Sequence, residues 1–443
     1  MTSAVANEAE QGEPPTGFAD VLRIRAFVVL YAAEMQSIAG DQLARVALSV
    51  LVFDETGSAL ATAATYAATL LPAILGGLFL SRIGDRLPRR AVMVGCDVLR
   101  AACFAAMASS AIPIGGVIAL VVLAVFVGPA FSAAEVSYLA VRLDGEQFRV
   151  ATALRLMSSQ AAQVGGFALG GILVAALDPR GALLVDAATY VVSAVLIGVF
   201  LRSAARAKAS ESPDPTDAGP AKPAAHLDDN RFGGLWGDRR LRALVTLSTL
   251  AGFFVVPEGL AVPFGSSVGA STGEIGFLLA SGALGGALGA GLLVRFVRPQ
   301  QRERVANWMA VGCGLPLVVS GLVPHWPLAL VCWLMSGLLA AYIIEVMTIV
   351  VQSIPDAHRS HLIGIVGALL TSAQGLGLVI FGALTQVVSP AHAIALAGLL
   401  GSGCALVLVL GPLRRRPDYR ATHRRNALAT DAAQPSVEHS QLS

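Results

Sequence analysis

The scarcest feature of this sequence is charge, since only 14% of its 443 residues are Asp, Glu, Lys or Arg while 55% are hydrophobic. A soluble protein of this length needs a far larger charged surface, so the composition excludes an ordinary soluble fold. Cysteine is also rare, with five residues in the chain. All five fall inside apolar runs, and no two have the spacing of metal ligands. We therefore expect neither a disulfide framework nor a metal site.

The sequence also lacks the local patterns of common enzymes and nucleotide-driven pumps. It contains no Walker loop, no His-Glu-x-x-His helix and no Cys-x-x-Cys pair. Its seven histidines lie mostly in predicted loops or tails, which do not suit buried catalysis. We expect that the protein is not an enzyme, that it binds no cofactor and that nucleic acid is not a partner.

Long apolar runs are what the sequence has in abundance. A run of about 20 residues crosses a hydrocarbon core of about 30 Å, and in that medium the backbone satisfies its own hydrogen bonds as a helix. The sequence therefore predicts an all-α membrane protein with twelve transmembrane helices. The predicted spans are 24–53, 58–83, 91–110, 114–136, 150–177, 181–201, 241–265, 272–296, 304–323, 326–352, 362–387 and 391–411.

The spans divide into two bundles of six, separated by a stretch rich in Pro, Asp and Ala. This division predicts a cytoplasmic N-terminus (1–23), an N-terminal bundle (24–201), a linker (202–240), a C-terminal bundle (241–411) and a cytoplasmic tail (412–443). Arginines concentrate in every second loop, so the positive-inside rule places both termini in the cytoplasm. A short sequence similarity between the second spans of the two bundles predicts pseudo-symmetric halves.

The segment GLFLSRIGDRLPRR (77–90) after the second span places an acid among arginines at a helix end. An acid in this setting can pair across the two halves and latch one conformation. The alternative is that the arginines only anchor the loop in the cytoplasm, which leaves the acid unexplained. The predicted latch consists of four loop residues and two residues of the third span: Asp85, Arg86, Arg89, Arg90, Asp97 and Arg100.

This loop resembles the major facilitator superfamily signature Gly-x-x-x-Asp-Arg-x-Gly-Arg-Arg, with Ser81 and Pro88 at the two Gly positions. AEMQSIAGDQLARVALSVLVFDETGSALATA in the first helix and GPAFSAAEVSYLAVRL in the fourth resemble its enterobactin-exporter and macrolide-efflux branch, as does the chain from residue 30 to 200. The resemblance implies twelve helices, alternating access and export driven by a proton gradient. The sequence departs from the antiporter pattern because the fourth span has no basic residue before Arg142 and Gly166–Gly171 lacks the family's proline.

Glycines repeat at intervals of four in two predicted helices, Gly166 with Gly170 in the fifth and Gly282 with Gly286 in the eighth. This spacing lets helix backbones approach each other closely. In the family, the fifth and eighth helices face each other between the halves. These glycines are therefore predicted to serve either movement between the halves or static packing.

Ionisable residues inside the first span need an explanation, because a charge at the membrane centre costs on the order of 3 kcal/mol. Glu34, Asp41 and Arg45 fall on one stripe of this helix, with the two acids about 10 Å apart along its axis. Acids that face a cavity can take up and release protons. Asp41 and Arg45 could instead form a structural pair, whereas Glu34 has no basic neighbour on its own helix.

Glu258 and Glu345 are the candidates in the second bundle. Glu258 lies between two prolines, which suit a gate or a cavity wall, although a position near the outer surface would leave it only solvated. Glu345 is deep in the tenth span without a cation nearby in sequence, which predicts a role in coupling or in binding a cationic substrate. Glu135 and Asp186 lie near span ends and are predicted to be solvated or structural.

Taken together, these patterns predict a secondary active transporter that exports a small lipophilic or amphipathic compound, such as a drug, antibiotic, siderophore or metabolite, by proton antiport. We expect a monomer in the bacterial inner membrane, with the lipid bilayer and a small-molecule substrate as partners. Uptake or facilitated diffusion of a metabolite is one alternative. A non-transporting sensor or scaffold is another, and it requires that Glu34 and Glu345 can be neutralised without effect.

Overall fold

The computed structural model describes residues 17–80, 87–208, 239–353 and 359–413. Within these ranges the chain forms helices and turns without strands, as its apolar runs predict. The N-terminal half contains six long helices, preceded by the short helix Phe18–Val21. They are α1 (Arg25–Thr56), α2 (Ala59–Ala68 and Pro72–Leu80), α3 (Arg89–Met107), α4 (Ile114–Phe126 and Gly128–Ala140), and α5 and α6, which share the run Gly145–Lys208.

The C-terminal half repeats this arrangement with six further helices. They are α7 (Arg239–Thr249, Ala251–Phe254 and Val256–Ser267), α8 (Thr272–Phe296), α9 (Pro299–Cys313 and Leu315–Leu322), α10 (Trp326–Ala340 and Tyr342–Gln352), α11 (Arg359–Leu384) and α12 (Pro390–Leu410). Several of the breaks coincide with proline, which removes a backbone donor and bends the helix: Pro72 in α2, Pro129 in α4, Pro257 in α7 and Pro316 in α9.

The twelve predicted helices are confirmed. Of the described stretches, nine are long and apolar enough to cross a membrane, and one of them is the shared run of α5 and α6. The more highly charged helices α1 and α3 complete the set. The helix α6 continues to Lys208, into the start of the predicted linker, through an Ala- and Arg-rich sequence of high helix propensity. The division into domains stays a prediction.

Asp178 separates α5 from α6 without a loop. Its backbone has φ 63° and ψ 169°, which breaks the helical path. Its Oδ1 accepts hydrogen bonds from the backbone N–H groups of Arg180 (2.8 Å) and Gly181 (2.9 Å), and Pro179 follows it. An acidic cap followed by proline is a strong start signal for a helix, so α6 turns back immediately.

Because the twelve helices alternate in direction, the start of α1 and the end of α12 lie at one end of the bundle, and the α1–α2 loop lies at the other. We call the first end the terminal face and the second the loop face. The two halves pack closely towards the loop face, where α2 contacts α7 and α11, and α5 contacts α8. One buried apolar cluster there draws on both halves and consists of Tyr66, Ala67, Val255 and Leu378.

Candidate functional site

A cavity of about 580 Å³ lies inside the N-terminal half. Residues of α1, α2, α3, α4 and α6 line it, and its walls carry both charged and aromatic side chains. The charged residues in the lining are Glu34, Asp41, Arg45, Arg100 and Glu135. Together with their neighbours they form three clusters at successive heights along α1, which we call the charge ladder.

The first rung lies nearest the terminal face and joins three helices through Arg155 of α5. Its guanidinium donates to both carboxylate oxygens of Glu34, Nε to Oε2 at 2.5 Å and Nη2 to Oε1 at 2.7 Å. Nη2 also donates to Oε2 of Glu135 on α4 at 2.9 Å. The Arg155 side chain is 14% exposed and that of Glu135 only 2%. One cation therefore holds two carboxylates in the interior, and Oε1 of Glu135 is buried without a partner among the described residues.

The second rung is centred on Tyr190 of α6, about 10 Å further along α1. The Tyr190 hydroxyl donates to Oδ1 of Asp41 at 2.5 Å, and Nη1 of Arg100 contacts the same hydroxyl at 3.3 Å. Nε of Arg100 also donates to the backbone carbonyl of Ala124. Gly128 leaves space for the Arg100 guanidinium, since a methyl group at that position would collide with it.

Two further acids lie behind this rung in the core of the half. Asp97 is 1% exposed and accepts a hydrogen bond from the Ser193 hydroxyl at 2.6 Å. Asp186 is fully buried, and Thr189 donates to its Oδ1 at 3.2 Å. Gly40 of α1 gives the Asp186 side chain its space. Both acids are therefore part of the interior of the bundle and not of its solvated ends.

The third rung lies towards the loop face and crosses between the halves. The hydroxyl of Tyr66 on α2 donates to Oε2 of Glu258 on α7 at 2.6 Å. The guanidinium of Arg45 lies over the Tyr66 ring, 5.7 Å from its centroid, and Nη1 donates to the side chain of Gln42. Glu258 thus lies at the seam between the halves, not near an outer surface.

Acids outnumber cations in the ladder and its immediate surroundings. Within the described transmembrane helices these clusters hold six carboxyl groups and three guanidinium groups: Glu34, Asp41, Asp97, Glu135, Asp186 and Glu258 against Arg45, Arg100 and Arg155. An unpaired ionised carboxylate is unstable in a low-dielectric interior. The surplus carboxyls therefore require protons or external cations for neutrality.

The structure corrects several predicted pairings. Asp41 and Arg45 do not form an ion pair, because the first contacts Tyr190 and the second faces Gln42 and Tyr66. Glu135 and Asp186 were predicted to be solvated or structural near span ends. Both are buried, so neither is solvated, and Glu135 lines the cavity. These predictions considered neighbours along one helix, whereas each partner comes from a different helix.

The predicted latch is divided by the structure. Asp85 and Arg86 lie outside the described residues. Arg89 begins α3, and Nη2 of Arg90 donates to the carbonyl of Gly198 on α6. Asp97 and Arg100 contact Ser193 and Tyr190 in the interior. They lie about two and three turns beyond Arg89 along α3, and their part in the latch stays a prediction.

Glu345 is partly exposed on α10 and has no hydrogen bond or ion pair to any residue the structure describes. It does not line the cavity of the N-terminal half. Its isolation agrees with the absence of a nearby cation in the sequence. Whether it couples transport or binds substrate stays a prediction.

Two of the four predicted glycines make close contacts, and their partner is α1. Gly166 and Gly170 face this helix, where added methyl groups would meet Ala39 and Leu43. A methyl group added to Gly282 would meet nothing within 4 Å, and one on Gly286 would lie in ordinary contact, 3.8 Å from the carbonyl oxygen of Gly337 on α10. The contact between α5 and α8 is made by the next residue, Gly171, with Gly276.

Arg155 is the important residue that the sequence reasoning missed. It lies inside the predicted span 150–177, so the cost of a charge in the membrane was a sufficient signal to select it. Tyr66 and Tyr190 gave no such signal, because tyrosine is common in apolar helices and only the fold shows what their hydroxyls contact.

Known proteins share both the sequence pattern and the fold. The family model described as Major Facilitator Superfamily matches residues 30–298 and 255–439. The multidrug efflux pump Tap of Mycolicibacterium fortuitum is 27% identical over 370 residues, which cover 81% of this chain and 88% of that protein. The enterobactin exporter EntS of Citrobacter koseri is 32% identical over 151 residues, which cover 33% of this chain and 36% of that protein.

Solved structures agree at the level of the fold. A bacterial homologue of the human lysosomal transporter Spinster, in an inward-facing and unoccupied conformation, matches 87% of this chain and 94% of its own with a TM-score of 0.65 and 15% identity. The POT family transporter PepTSo matches 88% of this chain and 98% of its own with a TM-score of 0.68 and 11% identity. The chain is a multi-pass membrane transporter, not an enzyme, and it belongs to the major facilitator superfamily.

Proposed function

We propose that this protein exports a small lipophilic or amphipathic compound across the bacterial inner membrane in exchange for protons. Alternating access moves the halves about the cavity, and the terminal face is cytoplasmic. The energy source is the proton gradient and not a bound cofactor. Two relatives support the export direction, since one is named a multidrug efflux pump and the other an enterobactin exporter.

The observation that carries this proposal is the surplus of carboxyl groups along the charge ladder. Each rung contains an acid that a proton can neutralise, and the rungs lead from the terminal side of α1 to the seam between the halves. The cavity is lined by the acids of the first two rungs, Glu34, Glu135 and Asp41, and by Arg45 of the third. A group that must be neutral to stay buried, and that water can reach through a cavity, is suited to carry a proton across.

In this proposal the first rung binds and releases a proton. Arg155 contacts both Glu34 and Glu135. One of the two acids can therefore remain ionised and paired with the guanidinium while the other binds and releases a proton. A substrate that carries a cationic group can replace the proton as the partner of the surplus carboxylate. Glu345, which lacks a partner within the described chain, offers a second acid on the opposite half.

The proposal is tested with everted membrane vesicles from cells that overproduce the protein. Respiration acidifies their interior, and export activity then accumulates a fluorescent probe in exchange for internal protons. We would use the lipophilic cation ethidium and the uncharged lipophilic dye Nile red as probes. Addition of a transported probe should raise the internal pH, read by a pH-sensitive dye, in wild-type vesicles but not in vesicles without the protein.

Two variants make this test specific to the ladder. Glu135→Gln removes the surplus acid of the first rung and should abolish probe-driven proton release. Glu146→Gln removes an acid of the same type from an exposed ion pair with Arg149 and should leave it unchanged. Proton movement in the same direction as the probe would instead show uptake, and full activity of Glu135→Gln would refute the coupling role.

A further inference from the structure

The two halves are joined by a single hydrogen bond among the described residues, the one from Tyr66 to Glu258. The other close contacts at this seam are apolar or involve glycine. Val255 and Leu378 pack against the Tyr66 ring, and a methyl group on Gly382 would lie 2.7 Å from the Cβ of Ala63. Such contacts favour closure of the loop face but do not respond to charge. The Tyr66–Glu258 pair is the part of the seam that can respond.

The surroundings of Glu258 offer little support for a negative charge. The ionisable groups that face it are Tyr66 from α2 and Arg45 from α1. The remaining helices packed on this part of α7 are α8, α11 and α12, and their described residues present no ionisable group to it. Glu258 is partly exposed, Arg45 is not within ion-pair distance of it, and its one side-chain hydrogen bond among the described residues comes from Tyr66.

The two charge states of Glu258 therefore differ in how well they tolerate the closed seam. A protonated carboxyl is adequately satisfied by one hydrogen bond from Tyr66. An ionised carboxylate needs several donors or a counterion, and opening of the loop face would supply these as water. Ionisation thus favours the open seam, whereas the hydrogen bond from Tyr66 favours the closed one in either charge state.

We infer that Tyr66 and Glu258 form a proton-controlled latch of the loop face, in which a proton on Glu258 favours closure and its loss favours opening. Tyr66 is a positioning residue in this latch, since it acts on the seam through Glu258. The inference deepens the proposed function and rests on it for its place in the cycle. A proton taken up from outside while the loop face is open would then close that face behind it.

The latch is tested by measuring the distance across the loop face in the purified full-length protein. Spin labels are attached to Asp54→Cys at the end of α1 and Gln386→Cys in the α11–α12 loop, both of which are exposed. Cys404→Ser is included in the background because the other four native cysteines are buried. Electron–electron distance distributions are recorded at about pH 5 and about pH 8, because these two values bracket the range in which buried glutamates titrate.

We expect the short-distance population to dominate at the lower pH and the long-distance population to grow as pH rises. Glu258→Gln keeps an acceptor for Tyr66 but carries no charge, so its distribution should stay short at both values. Tyr66→Phe should increase the ratio of open to closed protein about tenfold at the lower pH, since it removes the bond between the halves. Tyr342→Phe is the matched control, because the Tyr342 hydroxyl bonds to Leu247 within one half.

The latch is overturned if Tyr66→Phe gives the same distribution as Tyr342→Phe, or if the wild-type distribution responds to pH and Glu258→Gln responds equally. The readout is a conformation and needs no substrate, so it is separable from the vesicle assay. A pH-dependent latch without probe-driven proton release would refute the proposed function and leave the latch standing. Proton release with a pH-independent seam would do the reverse.

Discussion

Among single residues, Arg155 is the one whose guanidinium contacts two carboxyl groups inside the described helices. It pairs with two carboxylates from two other helices while its own side chain is only 14% exposed. Its planar guanidinium meets both oxygens of Glu34 and still reaches Glu135. A lysine cannot reproduce this geometry, because its ammonium is a single point charge without the planar fork of donors.

Replacement of Arg155 by methionine should destabilise the protein strongly. The change leaves two buried carboxylates without their cation, which costs on the order of 3–5 kcal/mol for a broken buried pair. The measurement is the thermal unfolding midpoint of purified protein. Arg149→Met is the control, since Arg149 belongs to an exposed ion pair with Glu146 and its loss should cost about 0–1 kcal/mol. Equal midpoints for the two variants would contradict the structural role of Arg155.

At this scale the sequence predicts which residues are unusual but not what they contact. Glu34, Asp41 and Glu258 stand out because charges are rare in membrane spans. Their partners are separated from them in sequence by 121, 149 and 192 positions, respectively. These partners lie on other helices, and hydropathy does not specify how those helices are rotated relative to one another. This is why the sequence left the Asp41–Arg45 pair open as an alternative and why the Arg155 pairing was missed.

Among the helices, α5 is the element on which movement between the halves depends most. One of its faces, with Gly166 and Gly170, packs on α1 in its own half, while Gly171 meets Gly276 of α8 in the other half. The spacing of four predicted a close contact but not its partner, because i and i+4 share one face and the next residue lies 100° around the helix.

Gly171→Ala should therefore shift the protein towards an open loop face. The new methyl group would lie 2.7 Å from the Cα of Gly276, and two helix backbones cannot yield as a flexible side chain can. The loop-face distance between labels at positions 54 and 386 should lengthen. Gly165→Ala, on the same helix with nothing near its added methyl group, should leave that distance unchanged. An identical distance in both variants would show that α5 and α8 need not be in contact.

Gly289→Ala should lower stability without changing the conformation. Gly289 packs on the backbone of Leu338, so its contact joins α8 to α10 within the C-terminal half. The added methyl group should cost on the order of 1–3 kcal/mol through overpacking, read as a lower thermal unfolding midpoint. The loop-face distance should be that of the wild type, and a change in it would mean that the α8–α10 contact also differs between the states.

For the molecule as a whole, the alternation of basic loops predicts that the terminal face is cytoplasmic. A cysteine at Asp54 should then react with a membrane-impermeant maleimide in intact cells. A cysteine at Gln300, which is exposed in the first turn of α9, should react only after the membrane is permeabilised. The reverse pattern of labelling would invert the topology and, with it, the direction of transport.

The twelve helices could be predicted from the sequence because each coincides with a long and largely apolar run. The closed loop face could not, since the same twelve helices fit several relative positions of the two halves. Contacts such as Gly171 with Gly276 and Tyr66 with Glu258 select one of these positions. They depend on the shape of a surface assembled from helices far apart in the chain.

Buried charge is distributed unequally between the halves, with three guanidinium groups and five carboxyls inside the N-terminal helices and only Glu258 and Glu345 inside those of the C-terminal half that the structure describes. The cavity lined by these groups is formed by residues of the N-terminal half. Substitutions in the C-terminal helices therefore leave most of this electrostatic network intact. We expect chimaeras that exchange the C-terminal half to keep every charged group of the ladder except Glu258.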